Sequence, residues 1–406
     1  MKIILDGLML SKKKYALLNV YHIMNDGFFD AVPVLLTFVA LAYGLGEKEI
    51  GMVVSCGTAL GTVAGLATMF LSKYLSPLKI ISLLIGVGGV GFVAASFSPG
   101  FLFAGISFTI VMFGYSLFHN ICFSYLTVHT ERRKLGRILS DFAAIGDIGR
   151  IPFIALAGYL SAFTFFNVSG WKLVSFLFGI AGIVSAVLLF LFSKEDTLEE
   201  RVVHTKSSIP SFRILRDKSV ILSMAASILN TFGNEKIFTF LPMLILFKGF
   251  DPEIVGTFAV GFTVGSFLGK MACGRLLDRY GPKTVFIVAE SVLSLFLFLI
   301  IYSTSLPVIM FFAFVIGLLT KGTVPVIQAI ITVPFQNIGE YDKIFSINSF
   351  VRGIINIFTP LFFGVIASLW NINVVYIMMA VVSFLAIVPM LYFDMSSRIT
   401  ISNDMK

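Results

Sequence analysis

Apolar residues run along this chain in twelve long blocks separated by short polar breaks, at roughly 15–43, 50–71, 79–97, 101–128, 138–163, 172–193, 219–247, 253–274, 284–303, 307–335, 343–369 and 373–393. About 20 apolar residues in a helix cross about 30 Å of hydrocarbon, and nearly every block reaches that length. Backbone groups in hydrocarbon must bond to one another, which makes helices of such blocks. The pattern predicts an all-α integral membrane protein with twelve transmembrane helices. Blocks and turns consume almost the whole chain, leaving no room for a soluble domain of useful size. The one long polar stretch, 194–218, holds Lys194-Glu195-Asp196, Glu199-Glu200-Arg201 and Ser207-Ser208-Ile209-Pro210. It divides the chain into an N-terminal six-helix bundle at 1–193, a cytoplasmic linker at 194–218 and a C-terminal six-helix bundle at 219–406.

Composition sharpens this picture. The 406 residues are 57% hydrophobic and 13% charged, against about 25% charged in soluble domains. The net charge of +8 would suit a nucleic-acid partner if it formed one patch. Instead it alternates between connections. Lys12-Lys13-Lys14, Lys73 with Lys79, Arg132-Arg133-Lys134 with Arg137, the 194–218 stretch, and Arg275, Arg279 and Lys283 fall on one side. The opposite connections hold Lys48, Lys172 and Lys248. Lys/Arg excess marks the cytoplasmic face, so the chain is expected to be a multi-pass protein of the cell membrane with both termini inside, and no nucleic-acid partner. The basic start leads into a segment too long and too polar for a signal peptide. Cys56, Cys122 and Cys273 have no paired spacing and read as packing residues. No zinc, iron–sulfur or Walker pattern and no nucleophile–base constellation is present, so no metal, cofactor, ATP drive or enzymatic activity is expected.

Local matches between the halves suggest a duplicated six-helix unit. Asn25-Asp26 precedes Pro33 as Asn234-Glu235 precedes Pro242, Ser72-Lys73-Tyr74 mirrors Asp278-Arg279-Tyr280, and Gly158 mirrors Gly364. The stretch Gly274-Arg275-Leu276-Leu277-Asp278-Arg279-Tyr280-Gly281-Pro282-Lys283 resembles the loop motif of the major facilitator superfamily, Gly-x-x-x-Asp-Arg-x-Gly-x-Arg/Lys. It sits between the second and third spans of a half, as in that family. The resemblance implies the major facilitator fold, with Gly274, Asp278, Arg279 and Gly281 in a cytoplasmic turn that latches the halves. The first-half copy is degraded, with Ser72 for the acid and Leu75 for the glycine. His22-x-x-Asn25-Asp26 is similar to the start of the fosmidomycin-resistance type of exporter. The fifth span departs from the family's drug:proton antiporters, which carry Gly-Pro there. Here it reads Gly146-Asp147-Ile148-Gly149-Arg150-Ile151-Pro152.

Charges within the blocks carry the candidate chemistry, because a charge in hydrocarbon costs a few kcal/mol, about 2.5 or more, and is usually functional. Asn19, His22, Asp26 and Asp30 recur at helical spacing and form one polar stripe on the first span. Asp26, and its repeat partner Glu235, are candidate proton-coupling acids, with Asp30 and His22 beside Asp26. His22 and His119 each stand as a relay or as a neutral core histidine bonded to a backbone carbonyl. Arg150, Lys321 and Arg352 are candidate contacts for a charged solute, or partners that neutralise the acids. Asn25, Asn234, His119, Gln328 and Asn356 are candidate polar contacts to the solute, and Asn348 shares a stripe with Arg352 and Asn356. Lys236 and Glu290 have no assigned role beyond pairing across a helix interface. Gly57, Gly61 and Gly65, with Gly261, Gly265 and Gly269, allow close helix approach, either as a moving seam between the halves or as static packing.

These features predict a secondary active transporter that moves a small charged organic solute by alternating access, as a monomer, with protons as the coupling ion. The competing readings are efflux of a drug-like compound by proton antiport, an uncoupled uniporter or lipid mover, and a transporter-like solute sensor.

Overall fold

The computed structural model describes residues 12–71, 74–130, 135–193, 217–335 and 341–396. Ser72 and Lys73 of the degraded motif, the basic run Arg132-Arg133-Lys134 and residues 194–216 of the expected linker lie outside the described residues.

The first half contains α1 (Lys12–Ala42), α2 (Glu47–Leu71), α3 (Pro77–Ser96), α4 (Phe101–Ser116), α5 (Phe118–Val128), α6 (Leu135–Ser161) and α7 (Gly170–Phe192). A two-residue ribbon, β1 (Thr164–Phe165) with β2 (Val168–Ser169), joins α6 to α7. The second half contains α8 (Lys218–Asn234), α9 (Ile237–Phe247), α10 (Val255–Tyr280), α11 (Pro282–Tyr302), α12 (Leu306–Thr332), α13 (Tyr341–Leu369), α14 (Ile372–Leu385) and α15 (Ile387–Tyr392). Three expected spans are each built from two helices: α4–α5, α8–α9 and α14–α15. Ten segments among the described residues are long and apolar enough to cross a membrane.

The chain forms two compact units, one of residues 1–204 with 245–260 and the other of residues 205–244 with 261–406. Residues 245–260 join the first unit through close packing. A Cβ on Gly158 would strike the backbone of Gly256, and Tyr159 Oη lies 2.8 Å from Thr257 Oγ1.

Four of the spaced glycines pack closely against helices of their own unit. Gly57 and Gly61 meet Met112 and Ser116 on α4, while Gly265 and Gly269 meet the backbone of Phe314 and Leu318 on α12. The eighth span runs past its expected end at 274, so that Gly274, Asp278 and Arg279 lie in the last turns of α10 and not in a loop. Arg, Leu and Asp after Gly274 sustain a helix, and the turn contracts to Gly281, whose positive φ of 77° ends α10 before Pro282 opens α11.

Candidate functional site

Each unit holds its own buried polar centre. In the first, α1 places Asn19, His22, Asp26 and Asp30 on one face. His22 is fully buried and Asp26 nearly so. The break between α4 and α5 at Leu117 brings His119 to the same place. His22 Nε2 lies 3.2 Å from Asp26 Oδ2, His119 Nε2 lies 3.3 Å from Asp26 Oδ1, and the two Nε2 atoms are 3.0 Å apart. Asn25 Nδ2 donates to Asp26 Oδ1 at 3.3 Å. His22 is therefore not bonded to a backbone carbonyl, and its Nδ1 is buried without a hydrogen bond. All its polar chemistry runs through Nε2.

The ring is fixed by its walls. Phe142 stacks on it at 4.2 Å between centroids and Phe118 at 5.5 Å, while Gly146 on α6 leaves it space. Side-chain exposure falls from 40% at His119 to 11% at Asp26 and 1% at His22. Three exchangeable groups thus lead from an open position to a closed one. A short contact between two imidazole nitrogens needs a proton on one of them, which makes the cluster a candidate for proton handling. Two imidazoles and a carboxylate within 4.8 Å of one another are also a set that a transition-metal ion accepts.

Asp30 lies farther along the α1 face, at the second cluster of this unit. Arg150 on α6 bonds Asp30 through Nη1 and Asp147 through Nη2. Arg150 therefore pairs within its own helix and neutralises Asp30 at once. The guanidinium fork allows this because it presents several donors in one plane.

The second unit repeats the device. Arg352 on α13 pairs with Glu235 in the break between α8 and α9, and its Nε donates to Thr231 Oγ1 at 2.9 Å. Lys321 and Lys236 are the other cations within electrostatic reach of Glu235. In both units an arginine of the fifth span of the half therefore grips an acid of its first span. Asn348 accepts from Ser227 at 2.7 Å.

Asn234, expected to face a solute, instead turns to Glu290. Its Nδ2 donates to Glu290 Oε1 at 3.0 Å, and its Oδ1 accepts from Ser383 at 2.7 Å. Oxygen atoms of Asn25, Gln328 and Asn356 are buried without a hydrogen bond among the described residues, so each is an acceptor open to a donor on a solute. Sequence reasoning missed Thr231, Asn230 and the aromatic walls Phe118 and Phe142, since none carries charge or stands out in an apolar block. Among the described residues, Asp278 and Arg279 form neither a hydrogen bond nor an ion pair. Arg279 lies over the Tyr280 ring at 5.2 Å.

Comparison with known proteins follows this geometry. A family model described as Major Facilitator Superfamily matches residues 18–261 and 224–403. YuxJ, an uncharacterized MFS-type transporter of Bacillus subtilis (strain 168), is 26% identical over 275 residues, covering 64% of this chain and 66% of that protein. AraJ of Escherichia coli (strain K12), named as a transporter, is 22% identical over 274 residues, covering 66% of each. The chain thus spans about 66% of the length of the curated relatives it matches. Among solved structures, the nucleoside transporter NupG matches with a TM-score of 0.75 at 12% identity, over 93% of this chain and 98% of that one. A D-xylose-proton symporter matches with a TM-score of 0.75 at 14% identity, over 93% and 97%. At these identities the structural matches show the fold alone.

Proposed function

The chain belongs to the Major Facilitator Superfamily, and from that premise we propose that it moves a small charged organic solute across the cell membrane by alternating access, driven by a proton gradient. It is a multi-pass membrane transporter and not an enzyme. The observation that carries proton coupling is Asp26, held by His22 and His119 through Nε2 contacts of 3.2 and 3.3 Å. A carboxylate flanked by two imidazoles can share a proton with them without leaving a bare charge behind. His119, the exposed member, loads the cluster, and Asp26 holds the charged imidazole as its counter-ion.

Solute charge is read from the arginines. Arg150 and Arg352 are paired internally with Asp30, Asp147 and Glu235. A charged solute that takes over one of these pairs would release the partner, which is a direct route from binding to helix movement. The excess of cations near Glu235, with Lys321, Lys236 and Arg352 around one acid, favours an anion. The protein acts as a monomer with both termini cytoplasmic.

Reconstitution in liposomes tests the reading. A panel of organic anions and drug-like compounds is screened by thermal shift, and uptake of any hit is measured with and without an imposed pH gradient. In the native protein the gradient should drive accumulation. In Asp26→Asn accumulation should vanish while solute exchange persists. Equal, gradient-independent flux in both proteins would exclude proton coupling and leave a uniporter.

A further inference from the structure

Glu290 on α11 is fully buried, and the mechanism above does not use it. Asn230 Nδ2 donates to its Oε1 at 2.7 Å, and Asn234 Nδ2 donates to Oε1 at 3.0 Å and Oε2 at 3.2 Å. Asn230 Nδ2 also reaches Thr323 Oγ1 on α12 at 3.2 Å, and Ser383 on α14 holds Asn234 from behind. The neighbours come from three helices and all are neutral.

Among the described residues no cation faces this acid. Helices α14 and α15, packed against α11, contain no charged residue. The charged residue of α8 is Lys218 at its start, and that of α12 is Lys321, whose acidic neighbour is Glu235. The lysine of α11 itself, Lys283, donates to the Phe393 carbonyl at 2.7 Å. Asp30, Asp147 and Glu235 each have an arginine and Asp26 has two histidines, so Glu290 stands apart. An ionised carboxylate in this place would be a buried charge held by amide N–H groups with no cation beside it, and burying a charge without a partner is costly. The asparagines turn N–H groups toward it, so no cage of oxygens is offered to a metal cation. The cation that fits is a proton.

We propose that Glu290 is a second proton-binding site, a neutral carboxylic acid whose proton exchanges when the break in the seventh span moves. The linkage is short. Asn230 and Asn234 occupy the last turns of α8, and the next residue, Glu235, is the partner of Arg352. A solute that takes Arg352 from Glu235 shifts the end of α8, loosens the two amides on Glu290 and opens the acid to exchange. That transport role rests on the proton-coupled reading above, whereas the protonation state does not.

The test is infrared spectroscopy of the reconstituted protein across pH, for the native chain, for the native chain with carbon-13 in its glutamate carboxyls, and for Glu290→Gln. Expected is a carboxylic-acid C=O band at neutral pH that shifts with the isotope, disappears at alkaline pH and is absent from Glu290→Gln, whose thermal unfolding stays near native. A missing glutamate acid band, a band unchanged in Glu290→Gln, a band indifferent to pH, or one displaced by sodium at constant pH would overturn the assignment. If Glu290→Gln does not fold, Glu290→Asp in the glutamate-labelled chain decides instead: an acid band that still shifts with the isotope would overturn the assignment, and one that no longer shifts would support it. A titrating band without gradient-driven uptake would fell the coupling reading and leave this site standing, and the converse result would do the opposite.

Discussion

His22 keeps its position because Gly146 has no side chain. A Cβ there would fall 2.5 Å from Cε1 and Nε2 of the ring. Gly146→Ala should therefore push the imidazole off Asp26, cost about 1–3 kcal/mol in stability as an overpacked core does, and lose gradient-driven accumulation. Thermal unfolding and uptake measured on the same preparation check this, and normal accumulation would show that coupling does not need His22 in place. A second residue-scale prediction concerns Arg352 and Glu235. Glu235→Gln alone leaves a partly buried guanidinium with Thr231, so it should cost about 1–3 kcal/mol. Adding Arg352→Met should recover most of that loss, a coupling that a double-mutant cycle reads directly. At this scale the sequence revealed acids and arginines but not their partners. The stripe on α1 was legible because its spacing is local. His119 is 97 residues from His22, and no spacing rule connects them. Asn234 looked like a solute contact because nothing in the chain shows that Glu290, 56 residues on, lacks a cation and draws the amides to itself.

Helices were legible where hydrophobic length alone decides them, and less so where one interior residue decides. Pro33, Pro152, Pro325 and Pro360 sit inside continuous helices, so proline was not a sufficient signal of a break. The twelfth span does divide at Ala386, where Pro389 removes the bond to the carbonyl of Leu385, the last residue of α14. The seventh divides at Glu235-Lys236, two partly buried charges, the first of which is turned toward Arg352. The loop motif misled in the other direction, because its residues between Gly274 and Gly281 favour helix. Gly281 carries the whole turn, with φ 77° and ψ 157°, a region open essentially to glycine. Gly281→Ala should cost about 1–3 kcal/mol without a steric clash, since nothing lies within 4 Å of the position a Cβ would take. Thermal unfolding measures it, and an unchanged protein would mean that α10 and α11 can be joined by another turn.

For the whole molecule, the alternation of basic connections predicts an orientation that can be checked at two points. Phe166, fully exposed at the tip of the β1–β2 ribbon, follows the fifth span. Tyr280, half exposed at the end of α10, follows the eighth. Twelve crossings with cytoplasmic termini put these connections on opposite sides of the membrane, the first outside and the second inside. In a variant lacking Cys56, Cys122 and Cys273, Phe166→Cys should react with an impermeant maleimide in intact cells. Tyr280→Cys should react only in inverted vesicles or after permeabilisation. The reverse pattern would place both termini outside and break the rule that Lys and Arg stay in the cytoplasm. The result also orients the chemistry. Gly274, Asp278 and Arg279 would occupy the cytoplasmic end of α10, so a solute path through each unit could be assigned an inner and an outer end. If the His119, Asp26 and His22 cluster takes up the coupling proton, the direction of solute flux under a proton gradient of known sign, in vesicles of that known orientation, distinguishes import by symport from export by antiport.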